Sequence, residues 1–249
     1  MSTVKTRGAK GAREPREPKL GVLGGMGPQA TQVFYQYVLD RTEASCDQEH
    51  LPALILSDTG VPDRTASILT GNTEPMYQRL LADARLLEEC GCTVIAIPCN
   101  TAHYFYDRLN ETIPIPILNM VEETVLAAKA GGSARVGILA TTGTVRTRTY
   151  QRMCEKHGLP CAVPDDAAQA AVMDVIYGDI KQGRPANMDA FERAAASLRS
   201  QGCDRAILGC TELSLIKRDE GLGAFYLDSM EVLARNAILA FGKTPIGFD

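Results

Sequence analysis

The sequence predicts an α/β protein built as two similar domains, each a parallel sheet flanked by helices, related by a pseudo-two-fold axis with a cleft between them. Three observations predict it. From Lys19 onward, short apolar runs alternate with amphipathic stretches of helical length, the pattern left by parallel strands joined through crossover helices. Two parts of that pattern occur twice, in the same order: Lys19–Gly27 (KLGVLGGMG) aligns with Arg135–Gly143 (RVGILATTG), and Cys92–Thr101 (CTVIAIPCNT) aligns with Cys203–Glu212 (CDRAILGCTE). A chain of 249 residues is also long enough for two domains of ordinary size, each with its own core.

In chain order, strands are expected at 19–24, 52–57, 93–98, 115–118, 135–140, 161–163, 204–208 and 225–227. Helices are expected from about residue 28, then at 75–90, 102–111, 120–130, 145–157, 166–182, 187–201 and 229–241. The first domain takes residues 19–118 and the C-terminal 229–249; the second takes 119–228. Residues 1–18 stand apart as a disordered tail. The first nineteen residues hold six basic residues (Lys5, Arg7, Lys10, Arg13, Arg16, Lys19), only Glu14 and Glu17 as acids, two prolines and no apolar periodicity.

Composition narrows the class of function. With 45% hydrophobic and 22% charged residues, no tryptophan and a formal net charge of -4, the chain reads as a globular protein without a nucleic-acid footprint. Apolar runs such as Val94–Pro98 and Ile113–Leu118 are far too short to span a bilayer. Eight cysteines without an apolar export signal point to a reducing, cytoplasmic setting and not to a disulfide framework. Cys90, Cys92, Cys99 and His103 invite a metal reading. However, a strand across 93–98 would hold Cys92 and Cys99 roughly 20 Å apart, so no metal site is expected.

All four repeated segments end at the carboxyl ends of strands, where ligands bind in open parallel sheets. Packing the halves about the pseudo-two-fold axis places Cys99 and Cys210 on opposite walls of one cleft. Either cysteine by itself is more simply read as buried packing; two at equivalent positions, each leading into a polar helix start, read as chemistry. A helix N-terminus favours the thiolate, and inverting a stereocentre needs one group to remove a proton and another to deliver one from the far side. Asn100 and Thr101 after Cys99, and Thr211 and Glu212 after Cys210, offer amide, hydroxyl and N–H groups that could hold a carboxylate or simply cap helices. A cysteine hydrolase would need an activating histidine; His103 follows Cys99 by four residues, but Cys210 has no counterpart.

The Gly24-Gly25-Met26-Gly27-Pro28 loop lacks the lysine and hydroxyl of a P-loop and the third glycine of the dinucleotide motif. Its expected role, Met26 included, is to line the cleft. Thr141, Thr142 and Thr144 occupy the equivalent loop of the second half, where they would hydrogen-bond a substrate or simply form a turn.

At these residues the sequence resembles the aspartate/glutamate racemase superfamily, and most closely its aspartate racemase branch. Matching stretches include Gly21–Thr31, Asp47–His50, Val61–Leu69, Pro98–His103, Leu139–Thr144, Ile176–Gly183 and Gly209–Leu213, which together run through the chain after the tail. The resemblance implies a two-domain α/β isomerase with no cofactor and no metal, a two-base cysteine mechanism, an amino acid as its small-molecule partner, and a homodimer. It also implies that Arg64, followed by Thr65, and Lys181 contact the substrate's side-chain carboxylate. Without it they would read as a solvated loop arginine and a surface lysine near a helix end; with it, Arg64 offers a bidentate fork and Lys181 a point charge. A broad-specificity racemase for neutral amino acids, or a catalytically silent amino-acid-binding relative, are the alternatives.

Overall fold

The computed structural model describes residues 17–248; the expected tail therefore lies, except for its last two residues, outside the described part. Among these residues seven strands form two sheets: β1 (Leu20–Gly24), β2 (Ala53–Ser57) and β3 (Val94–Ala96), then β4 (Val136–Ala140), β5 (Cys161–Ala162), β6 (Arg205–Gly209) and β7 (Tyr226–Asp228). The α-helices are α1 (Pro28–Asp40), α2 (Arg64–Thr70), α3 (Glu74–Glu89), α4 (Tyr106–Thr112), α5 (Met120–Ala130), α6 (Thr142–Arg146), α7 (Thr149–Lys156), α8 (Asp166–Met173), α9 (Met188–Ser200), α10 (Thr211–Glu220) and α11 (Ser229–Ala240). No helix among the described residues is long and apolar enough to cross a membrane.

Both sheets are parallel throughout, in the orders β2-β1-β3 and β5-β4-β6-β7. Their central strands β1 and β4 are buried at every position. Burial on both faces is why LGVLG and VGILA read as unbroken apolar runs and not as an alternation. Each carries a glycine at its equivalent point because a helix crosses there at close range. A Cβ on Gly21 would stand 3.1 Å from Cys92 Cβ and 3.3 Å from Leu87 Cβ, and one on Gly137 would stand 2.4 Å from Leu198 Cδ1. Leu87 and Leu198 end α3 and α9, so the repeat in sequence is a repeat in packing.

Prolines shorten two of the expected strands. β3 stops at Ala96, before Pro98, and the strand expected at 115–118 is a single bridge of Ile117 to Ile95, since Pro114 and Pro116 lack the N–H a ladder needs. α11 returns to the first sheet: Met230, Leu233, Ala237 and Ile238 pack with Leu20, Val22, Phe34 and Met120. α5 serves both sheets, with Met120 in that cluster and Val121, Val125 and Ala128 packed against β4 and β6.

Candidate active site

Cys99 and Cys210 leave the carboxyl ends of β3 and β6 and line one cavity; each is 5% exposed. Met26, Arg64, Thr65, Asn100, Thr101, Thr141, Lys181, Thr211 and Glu212 line it with them, as does Tyr177. The cavity is about 10 Å³, room for about one water molecule. Beside it lies a more open cavity of about 430 Å³ that shares Arg64, Lys181 and Glu212 and is otherwise lined by Gly25, residues 27–30, Thr59, Ile180, Gly183 and Leu215.

The two cysteine turns differ. Cys210 is the extended N-cap of α10, whereas Cys99 precedes Asn100, the cap of a short 3-10 turn over Thr101–Phe105. A helix start was expected to favour the thiolate at both. At Cys210 the opposite holds: burial first, and then the negative charge of Glu212, push its thiol well above the usual range, against the pull of Lys181. The thiol donates to Glu212 Oε2 at 2.9 Å. Two negative centres so close and so buried cannot both be charged at low cost.

Asn100 lines the cavity, but its side chain is committed elsewhere. Its amide donates to Ser229 Oγ at 3.0 Å, and its carbonyl oxygen accepts from the Tyr150 hydroxyl at 2.5 Å. What it and Thr101 leave free at the turn is backbone N–H, since the first amides of a helix have no intrahelical acceptor. Thr101, Thr141 and Thr144 close a triangle of hydroxyls with oxygen separations of 3.0–3.2 Å; Thr144 reaches the cavity only through that triangle. Thr142 does not reach it: its N–H meets Met173 Sδ and its hydroxyl accepts from Gln169. His103 is no partner for the Cys99 thiol either. Its Nδ1 meets the Cys99 carbonyl at 2.9 Å and its Nε2 accepts from Met120 N–H. Burial lowers its pKa, so it is a neutral strut under the turn.

Arg64 is not a loop residue but the first residue of α2, which Asp63 caps by accepting from Ala66 N–H at 2.8 Å. Its guanidinium donates to the carbonyls of Val61, Pro62 and Met26 at 3.2–3.3 Å. Among the described residues it makes no ion pair. Burial works against its charge, but Cys99, Asp63 and Glu212 outweigh that and hold it firmly protonated. Lys181 stands where the helix expected over 166–182 breaks up, after a π-helical turn (Asp174–Asp179), in a 3-10 turn (Ile180–Gln182). Such turns often mark functional sites. Its ammonium lies 3.8 Å from Glu212 Oε1 and 3.9 Å from Asp63 Oδ2. Burial again opposes the charge, and its surroundings, Glu212 foremost, more than restore it.

Sequence reasoning missed Asp63 and Tyr177. The Asp63 cap was legible in the run from Asp63 to Gly71, a cap-and-stop pair around seven residues; Tyr177 carried no signal of its own. Among the described residues no group of three or more His, Cys, Asp or Glu side chains is placed to hold a metal ion, and no disulfide joins any of the eight cysteines.

A family model described as Asp/Glu/Hydantoin racemase matches residues 23–237. An aspartate racemase structure from Picrophilus torridus superposes with a TM-score of 0.78 at 28% identity, covering 92% of this chain and 96% of that one. The broad-specificity amino-acid racemase RacX of Bacillus subtilis is 27% identical over 86% of this chain and 94% of its own length. A glutamate racemase structure from Francisella tularensis shares the fold, with a TM-score of 0.66 at 17% identity over 90% of this chain and 81% of that one.

Proposed function

Because the chain belongs to the Asp/Glu/Hydantoin racemase family, we propose that it is a cofactor-independent amino-acid racemase that interconverts L- and D-aspartate, or glutamate, through Cys99 and Cys210. The observation that carries this reading is that two cysteines from equivalent strand ends face one cavity beside a partly buried arginine that has no ion-pair partner among the described residues. Cys210 is the protonated member of the resting pair. Cys99, entering as the base, takes the α-proton from one face and Cys210 delivers its own to the other, which leaves Cys99 a thiol and Cys210 a thiolate. The reverse reaction runs from that state, and as the pair resets Cys210 regains a proton through Glu212 while Cys99 releases one to water.

The α-carboxylate is held by the free amides at the starts of the two cysteine turns and by the threonine hydroxyls, which stabilise the negative charge that develops as the proton leaves. Arg64 and Lys181 take the side-chain carboxylate. The units 19–118 with 229–249 and 119–228 part to admit the substrate and close on it. A homodimer, by the family resemblance, and a cytoplasmic setting that keeps eight thiols reduced belong to the same proposal.

Cys99→Ala and Cys210→Ala test it. Each is expected to abolish racemisation of L-aspartate followed by chiral chromatography, and near-full activity in both sinks the proposal. A second reading, a racemase of broad specificity for neutral amino acids, draws support from the 430 Å³ cavity adjoining the cysteines and from the likeness to RacX. A silent binding protein would show no α-deuterium uptake from heavy water.

A further inference from the structure

Lys181 has two carboxylates within 4 Å and a hydrogen bond to neither. An ammonium beside a carboxylate ordinarily closes to a charge-assisted contact below 3 Å, so something holds Asp63 away. Asp63 Oδ1 is anchored by Ala66 N–H at 2.8 Å. The Tyr177 hydroxyl then spans both oxygens, 3.3 Å from Oδ1 and 3.1 Å from Oδ2. The ring of the same tyrosine lies under Lys181, whose Nζ is 4.1 Å from the ring centroid. Its phenol is pushed up, chiefly by burial, so it stays a donor at neutral pH.

We infer that Tyr177 is a positioning residue for substrate specificity: its hydroxyl occupies the Asp63 carboxylate and so keeps that carboxylate from closing on Lys181, on the side where the distal carboxylate of an acidic amino acid is proposed to bind. Face and hydroxyl do different work. The ring supports the cation whether or not a substrate is present, while the hydroxyl removes its competitor. The inference rests on the proposed role of Lys181.

Tyr177→Phe separates the two, because it keeps the ring and deletes the hydroxyl. Asp63 Oδ2 then closes on Lys181. The expected result is a rise of about five-fold in KM for aspartate, in keeping with a partly exposed ion pair. kcat stays within about two-fold, and the inhibition constant of a competing neutral amino acid is unchanged. Adding Asp63→Asn keeps the helix cap and removes the competing charge, so the double variant recovers the KM of Asp63→Asn by itself. An unchanged KM in Tyr177→Phe overturns the inference. So does a raised KM that persists in the double variant, which would mark Tyr177 as merely structural. Lys181→Met distinguishes the levels: if it leaves the aspartate KM unaltered, the role of Lys181 falls and the inference with it. If it raises KM while Tyr177→Phe does not, only the inference falls.

Discussion

The Cys210 thiol donates to Glu212 Oε2 at 2.9 Å, although the two residues are only two positions apart. Side chains two apart on a helix face different ways. These two meet because Cys210 is the N-cap, with extended φ −147° and ψ 132°, and Glu212 stands in the first turn of α10. Glu212→Gln preserves length and removes the charge through which, in the proposed mechanism, Cys210 exchanges its proton. It is expected to lower kcat/KM by about 100-fold or more, equally from either enantiomer, since the two have the same free energy. Chiral chromatography started separately from L- and D-aspartate reads this; an unaltered rate refutes it.

Among the described residues Arg64 is held by three carbonyls and no carboxylate, so its net charge stays available. Arg64→Ala is expected to cost aspartate about 100-fold in kcat/KM, the scale of a lost bidentate contact to a charged group. Neutral amino acids should change by less than about three-fold. Equal loss on both classes of substrate would favour a structural role for Arg64.

Asp228 caps α11, accepts from Ser214 Oγ and Met230 N–H through Oδ1, and leaves Oδ2 buried without a partner among the described residues. Burial first, and then the charge of Glu231, raise its carboxyl from the ordinary 3.8 to about 6. The unfolded chain therefore releases this proton at lower pH than the native one. Stability that is whole below about pH 4 declines as pH climbs to about 6. Asp228→Asn keeps the Oδ1 contacts and removes the ionisation, so relative to the parent it gains on the order of 2–3 kcal/mol between pH 4 and 7. Urea unfolding at the two pH values measures it; a constant difference between the proteins would exclude an ionising Asp228.

The repeated glycines differ in how much space they keep. A methyl on Gly137 meets Leu198 Cδ1 at 2.4 Å and its Cβ at 2.9 Å, whereas the nearest atom at Gly21 is 3.1 Å away. Gly137→Ala is expected to destabilise by about 2 kcal/mol and Gly21→Ala by less, read as urea midpoints at constant slope. The reverse order would mean α9 yields more readily than α3.

Much of this was legible before any coordinates. The alternation of strands and helices, the joint placement of Cys99 and Cys210, and the lining residues beside them followed from the repeat, while Arg64, Thr65 and Lys181 came with the family resemblance. Local chemistry was less accessible. The Asn100 amide is consumed by Tyr150 and Ser229, which lie far along the chain, and no local pattern reports that. Thr142 sits between two threonines that face inward, yet points to Gln169 because successive residues of a helix start fan outward. The thiol at Cys210 was misjudged for a related reason: the helix end is visible in sequence, whereas burial and the approach of the Glu212 carboxylate are tertiary.

The chamber between the cysteines, with room for about one water, has a kinetic consequence. On the proposed function, an amino acid many times that volume has to wait for an opening, and both enantiomers wait for the same one. A gate common to both mirror forms cancels from any comparison of L with D. It survives only when substrates of different bulk are set side by side, so size, and not handedness, is the variable through which the motion would show itself.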